Sequence, residues 1–129
     1  MSNLDSSRPT DAELAILRVL WSRGPSTVRQ VYEALSQGRE TGYTTVLKLM
    51  QIMTEKGLVD RDESERTHVY QTRFTQEQTQ QRLVSDLLEK AFSGSASQLV
   101  MRALATKSAS ADELAQIRSL LDQLEGGQQ

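Results

Sequence analysis

Residues 43 to 72, YTTVLKLMQIMTEKGLVDRDESERTHVYQT, change hydrophobic period partway along, and that change decides the fold. The first half places Val46, Leu49, Met50 and Met53 at i, i+3, i+4 and i+7, one face of a helix from about Tyr43 to Lys56. Gly57 stands where a left-handed C-terminal cap is wanted. Beyond it, Leu58-Val59-Asp60-Arg61 and Thr67-His68-Val69-Tyr70-Gln71-Thr72 are short β-prone runs flanking the polar turn Asp62 to Arg66. That pattern predicts a two-stranded hairpin, with His68 as a strand residue.

Working back from Tyr43, the polar stretch Gln37 to Gly42 reads as a loop. Before it, Thr27 to Gln30 forms a capping box, and Val28, Val31, Tyr32 and Leu35 line one face of a short helix. An earlier box, Thr10-Asp11-Ala12-Glu13, opens a helix carrying Leu14, Leu17, Leu20 and Trp21, its apolar arc widened by Ala15, Ile16 and Val19. Gly24-Pro25 stops that helix. Three helices followed by a hairpin is the winged-helix order.

Downstream the helical period returns. Leu83, Val84, Leu87, Leu88, Ala91 and Phe92 recur as pairs every four residues until Ser93-Gly94-Ser95 interrupts them. A shorter helix is expected over Gln98 to Ala105, with Leu99, Val100, Ala103 and Leu104. A third capping box, Ser110 to Glu113, opens a last helix with Leu114, Ile117, Leu121 and Leu124. Three short helices carry more apolar surface here than they can bury among themselves. A homodimer interface is therefore expected from Leu83, Leu87, Leu88, Phe92, Leu99, Val100, Leu104, Leu114, Ile117 and Leu121, with packing back onto the hairpin domain as the alternative. The fold class is mainly α with a small β-hairpin. It divides into a disordered leader (1–9), a winged-helix domain (10–74), a helical dimerisation region (75–125) and a disordered tail (126–129).

Composition narrows the function. The chain has 129 residues, a single histidine (His68) and no cysteine, which leaves no thiolate or zinc site and no sign of a cofactor. Its N-terminus lacks the apolar core of a secretory signal, and no run of eighteen apolar residues is present, so a cytoplasmic protein with no membrane partner is expected. An enzyme would need a nucleophile with its base, or a carboxylate pair in a cleft, and these residues offer neither. Net charge is −2, but it is unevenly spread. Between Arg18 and Lys48 five cations face only Glu33 and Glu40, whereas from Thr75 onward seven acids outnumber five bases.

The third helix is where function is expected. With its apolar face turned inward, the opposite face begins with Thr44, Thr45 and Lys48 near the N-terminus. A DNA major groove admits an α-helix, and residues of its first turns reach base edges. Threonine can donate, accept, or pack its methyl on thymine, while Lys48 suits a phosphate or a guanine edge. Arg29 and Tyr43 join these candidates, as do Arg66 and His68 of the hairpin. The same polar positions also suit an ordinary solvated helix face. At the hairpin tip Arg66 would neutralise a phosphate, but Asp62, Glu63 and Glu65 would repel it, so a solvated turn stands beside a backbone contact.

Several segments together carry a family resemblance. They are Thr10-Asp11-Ala12-Glu13-Leu14 with Val19-Leu20-Trp21, Thr27-Val28-Arg29-Gln30-Val31, Tyr43-Thr44-Thr45-Val46-Leu47, Glu55-Lys56-Gly57-Leu58-Val59 and His68-Val69-Tyr70. In these the chain resembles the penicillinase-repressor family (BlaI/MecI) from about Pro9 to Leu124. The resemblance implies a dimeric repressor on a short dyad operator of double-stranded DNA, with contacts from Thr44, Thr45 and their neighbours and a dimer held by the C-terminal helices. It also implies a regulatory protease as a further partner, because antibiotic-responsive members are cut in the C-terminal domain after a membrane sensor signals. The corresponding bond is Arg102–Ala103, where those members carry Asn-Phe, so this chain departs from the pattern at that bond. It departs again at Leu47 and Ile52, near which some members place arginine. The copper-responsive branch uses C-terminal cysteines, which are absent here. The alternative to a repressor is a winged-helix module that contacts only protein.

Overall fold

The computed structural model describes residues 8–37 and 41–127. Most of the expected leader (1–7), three residues of the expected loop (38–40) and the last two of the tail lie outside that set. Three helices open the chain: α1 (Asp11–Arg23), α2 (Val28–Leu35) and α3 (Tyr43–Lys56). A hairpin follows, β1 (Val59–Asp62) and β2 (Val69–Thr72), then α4 (Gln76–Ala91), α5 (Ala96–Thr106) and α6 (Ala111–Gly126).

The helix boundaries follow local chemistry. Thr10, Thr27 and Ser110 each accept from the N–H three residues on, and Glu13, Gln30 and Glu113 reach back to the cap N–H. Gly57 ends α3 at φ +81°, ψ +17°, a left-handed conformation without steric cost only for glycine. Ser93 and Gly94, at φ +50° and +81°, break the chain between α4 and α5. Helix α5 is longer at both ends than the apolar pattern suggested. Ser95 caps its start by accepting from the Gln98 N–H, and Thr106 hydrogen-bonds the Arg102 carbonyl in its last turn. Gly126 lies inside α6, and the Gly127 N–H donates to the Gln123 carbonyl (2.9 Å).

The hairpin is antiparallel, with Val59 opposite Thr72 and Asp62 opposite Val69. Two expectations about it are corrected. Leu58 is not a strand residue, because its N–H donates to the Met53 carbonyl (2.9 Å) as part of the helix cap. His68 and Thr67 also fall outside the ladder, since pairing ends at Asp62–Val69 and leaves them on the tip. Asp62 joins the strand, and its carboxylate accepts from the Ser64 N–H (2.9 Å) to start the turn. A further pairing was not expected. Ser26 and Tyr70 exchange N–H···O bonds of 2.9 and 2.8 Å, which ties the α1–α2 connection to the hairpin.

The described chain separates into two compact units, the first ending at Leu83 and the second starting at Val84. That division falls inside α4, beyond the Thr75 boundary expected from sequence. The start of α4 is tied to the first unit: the Trp21 Nε1–H donates to the Phe74 carbonyl (3.1 Å), and the Arg82 guanidinium sits 5.5 Å from the Phe74 ring centre. The core of the first unit consists of Ile16, Leu17, Leu20, Val28, Val31, Val46, Met50, Met53, Leu58, Val59 and Tyr70. Leu14 and Trp21 are only half-buried, while Ile16, expected at the margin of the arc, is fully enclosed. In the second unit no described residue is buried.

Candidate nucleic-acid interface

The amphipathic pattern of α3 sets its orientation. Val46, Met50 and Met53 are fully enclosed, which turns Thr44, Thr45 and Lys48 outward, and all three are exposed. Its N-cap is Gly42, which brings no side-chain acceptor to the first-turn N–H groups. Those donors and the positive end of the helix dipole therefore face outward beside the two threonines.

A cluster of rings fixes how α3 begins. The Tyr43 ring meets Tyr32 of α2 edge-on, with centres 5.6 Å apart and planes at 75°. The Arg29 guanidinium lies 5.1 Å from the centre of Tyr43 and 5.9 Å from that of Tyr32. Both distances are within cation–π range. The opposite end of α3 is anchored by Lys56, whose Nζ donates to Glu13 Oε1 (2.6 Å) and to the Arg8 carbonyl (3.0 Å). Glu13, only 2% exposed, thus serves both the α1 capping box and an ion pair that spans 43 residues.

Four of the seven sequence candidates meet in one place. A cavity of about 290 Å³ between α2, α3 and the hairpin is lined by Arg29, Tyr43, Leu47, Arg66 and His68, among others. Thr44, Thr45 and Lys48 are not among its lining residues and lie on the adjoining outer face of α3. Asp60, Asp62 and Glu63 of the hairpin each have a partner nearby, while Glu65 stays exposed at the tip. Glu63 pairs with Arg61 (2.5 Å), and Asp60 pairs with Arg73 (2.6 Å). The Arg73 hydrogen bond holds the Asp60 carboxyl below the usual aspartate range, and the Ser64 bonds do the same for Asp62. Bonding to Tyr70 and Glu63 raises the Arg61 guanidinium. Arg66 and the exposed His68, on the tip with Glu65, line the same cavity as Arg29. The sequence reading missed the ring cluster and the Glu13–Lys56 pair. The residue types were visible, but the contacts join separate helices.

Of the ten residues expected to hold a dimer, Leu87, Val100, Leu104 and Leu121 are exposed, and the other six are half-buried. Val84, Met101, Leu120 and Leu124 are also exposed, and of these Val84 and Leu124 belong to the apolar patterns of the sequence. Among the described residues no group of three or more His, Cys, Asp or Glu is arranged to hold a metal ion. No described helix is long and apolar enough to cross a membrane.

Comparison with known proteins identifies the family. The penicillinase repressor family model matches residues 9–123. The chain is 35% identical over 122 residues to the transcriptional regulator BlaI of Mycobacterium tuberculosis, covering 94% of this chain and 88% of that one. It is 19% identical over 113 residues to the methicillin resistance regulatory protein MecI of Mammaliicoccus sciuri, covering 88% and 92%. The solved complex structure of hsRosR-S4 shares the fold at a TM-score of 0.54 and 19% identity, over 99% of this chain and all of that one. With its three helices and hairpin in winged helix-turn-helix order, the chain belongs to the penicillinase-repressor (BlaI/MecI) family of transcriptional regulators.

Proposed function

We propose that this protein is a dimeric repressor that binds a short palindromic operator by inserting α3 into the DNA major groove. The observation that carries the reading is the outward face at the start of α3: Thr44, Thr45 and Lys48 exposed around an N-terminus whose cap contributes no side chain. Threonine hydroxyls and methyls suit base edges, and Lys48 suits a phosphate or a guanine edge. Arg29 at the start of α2 and Arg66 on the hairpin supply cations on either side of the cavity, where a phosphate backbone would run. The pairing of Glu63 with Arg61 weakens the repulsion expected from the hairpin tip.

Dimerisation is the second part of the reading. A unit with no buried residue among those described, and with Leu87, Val100, Leu104 and Leu121 exposed, cannot hold its helices together by its own packing. A second copy supplies the missing cover, and its two-fold symmetry matches a palindrome. Relief of repression through a sensor or protease acting on the C-terminal helices completes the proposal. Arg102 and Ala103 are both exposed on α5, although the residue pair differs from that of the antibiotic-responsive members.

Footprinting on the protein's own promoter region tests the reading. Two protected half-sites should appear on one face of the duplex, related by a dyad and centred one helical turn or a multiple of it apart. Absence of any protected site at protein concentrations that retain a folded dimer would point instead to a module that contacts only protein.

A further inference from the structure

Among the described residues of the first unit, the exposed large hydrophobic side chains are Tyr43 and Ile52, and both lie on α3. Tyr43 is accounted for by its contacts with Arg29 and Tyr32. Ile52 is 36% exposed, follows the exposed Gln51, and stands between the exposed Lys48 one turn before and the exposed Glu55 one turn after. Thr45, Lys48 and Ile52 are spaced i, i+3 and i+7, which aligns them along one flank of the helix. Ile52 therefore continues the same outward stripe that the proposed function assigns to DNA, about 10 Å beyond Thr45 along the axis.

An isoleucine has no hydrogen-bonding group, so it cannot read a guanine or adenine edge by donors and acceptors. The one apolar group that base pairs present in the major groove is the C5-methyl of thymine. A β-branched side chain on a helix holds one χ1 rotamer, so its methyls are pre-positioned and little entropy is lost on contact. We propose that Ile52 is a specificity-determining residue that packs on a thymine methyl in each half-site. This assignment rests on α3 entering the major groove and adds to it the identity of a base that α3 selects.

The test begins by selecting a tight-binding duplex from a random-sequence pool with the full chain. Each thymine of that duplex is then replaced in turn by deoxyuridine, which removes the methyl and nothing else. For the native protein, replacement at one thymine and at its dyad mate should each weaken binding about fourfold, the effect of one buried methyl-sized group. In Ile52→Ala the affinity for the thymine duplex should fall, and the thymine-to-uracil ratio at those positions should drop to about one. In Lys48→Ala the ratio should persist although overall affinity is lower. If every thymine tolerates the replacement, or if the ratio survives in Ile52→Ala, the assignment is overturned while DNA binding stands. If the native chain retains no duplex from the pool, the DNA reading falls and this assignment falls with it.

Discussion

Arg29 and Lys48 are both cations at the expected interface, but their surroundings assign them different work. Lys48 is exposed on the outer face of α3, whereas the Arg29 guanidinium is laid across Tyr43 and Tyr32. A lysine at position 29 keeps the charge and loses the planar stack. We therefore expect Arg29→Lys to weaken operator binding by about two- to fivefold, the size of an exposed cation–π contact, with no change in the salt dependence of binding. Fluorescence anisotropy titrations at several salt concentrations check this. An unchanged affinity would show that Arg29 acts through its charge alone. The residue types of this interface were legible in the sequence because the inward period of α3 left Thr44, Thr45 and Lys48 with nowhere to face but out. The Arg29–Tyr43–Tyr32 cluster and the burial of Glu13 were not legible. A capping box announces the local role of Glu13, but no sequence spacing announces a lysine 43 residues away.

At the scale of elements, the junction between α3 and the hairpin depends on Gly57. Its φ of +81° disfavours any L side chain, and an added Cβ would lie 2.9 Å from Nη1 of Arg73. The Arg73 tip can move, but doing so disturbs its ion pair with Asp60. Gly57→Ala should therefore destabilise the protein by about 1–2 kcal/mol, read as a lower urea midpoint at unchanged slope. The same ion pair gives the hairpin a pH dependence. The folded-state pKa of Asp60 is depressed, so its contribution is present above the unfolded value of about 3.9 and is lost as pH falls through the folded value. Asp60→Asn should show a smaller loss of stability between pH 5 and pH 3 than the native chain, measured by urea unfolding at each pH. An equal loss would assign the acid sensitivity to other carboxylates. Helix starts were legible because capping boxes are short-range devices, and the predicted boxes form at Thr10, Thr27 and Ser110. Strand ends were not, because the helix cap took Leu58 and the ladder stopped before His68, both settled by hydrogen bonds that periodicity does not describe.

For the whole molecule, the two units differ in how they are held. Among the described residues, the first encloses a core of eleven apolar side chains, while the second leaves Leu121 about half exposed and buries nothing. Leu87→Asp or Leu121→Asp should therefore convert the proposed dimer to monomer in sedimentation velocity and lower operator affinity, with the first unit remaining folded. An intact dimer in both variants would remove these residues from the interface. The surplus apolar surface of the C-terminal helices was legible in the sequence, but the spacing of residues in one chain does not specify what covers it. The central claim is that the outer face of α3 lies against DNA, and a salt titration of duplex binding by the native chain and Lys48→Ala tests it most directly. Log affinity should fall linearly with log salt concentration, at about −0.9 per phosphate neutralised. Lys48→Ala should have a slope shallower by about one such contact. Binding that ignores salt, or a Lys48→Ala variant with the native slope and affinity, would contradict it.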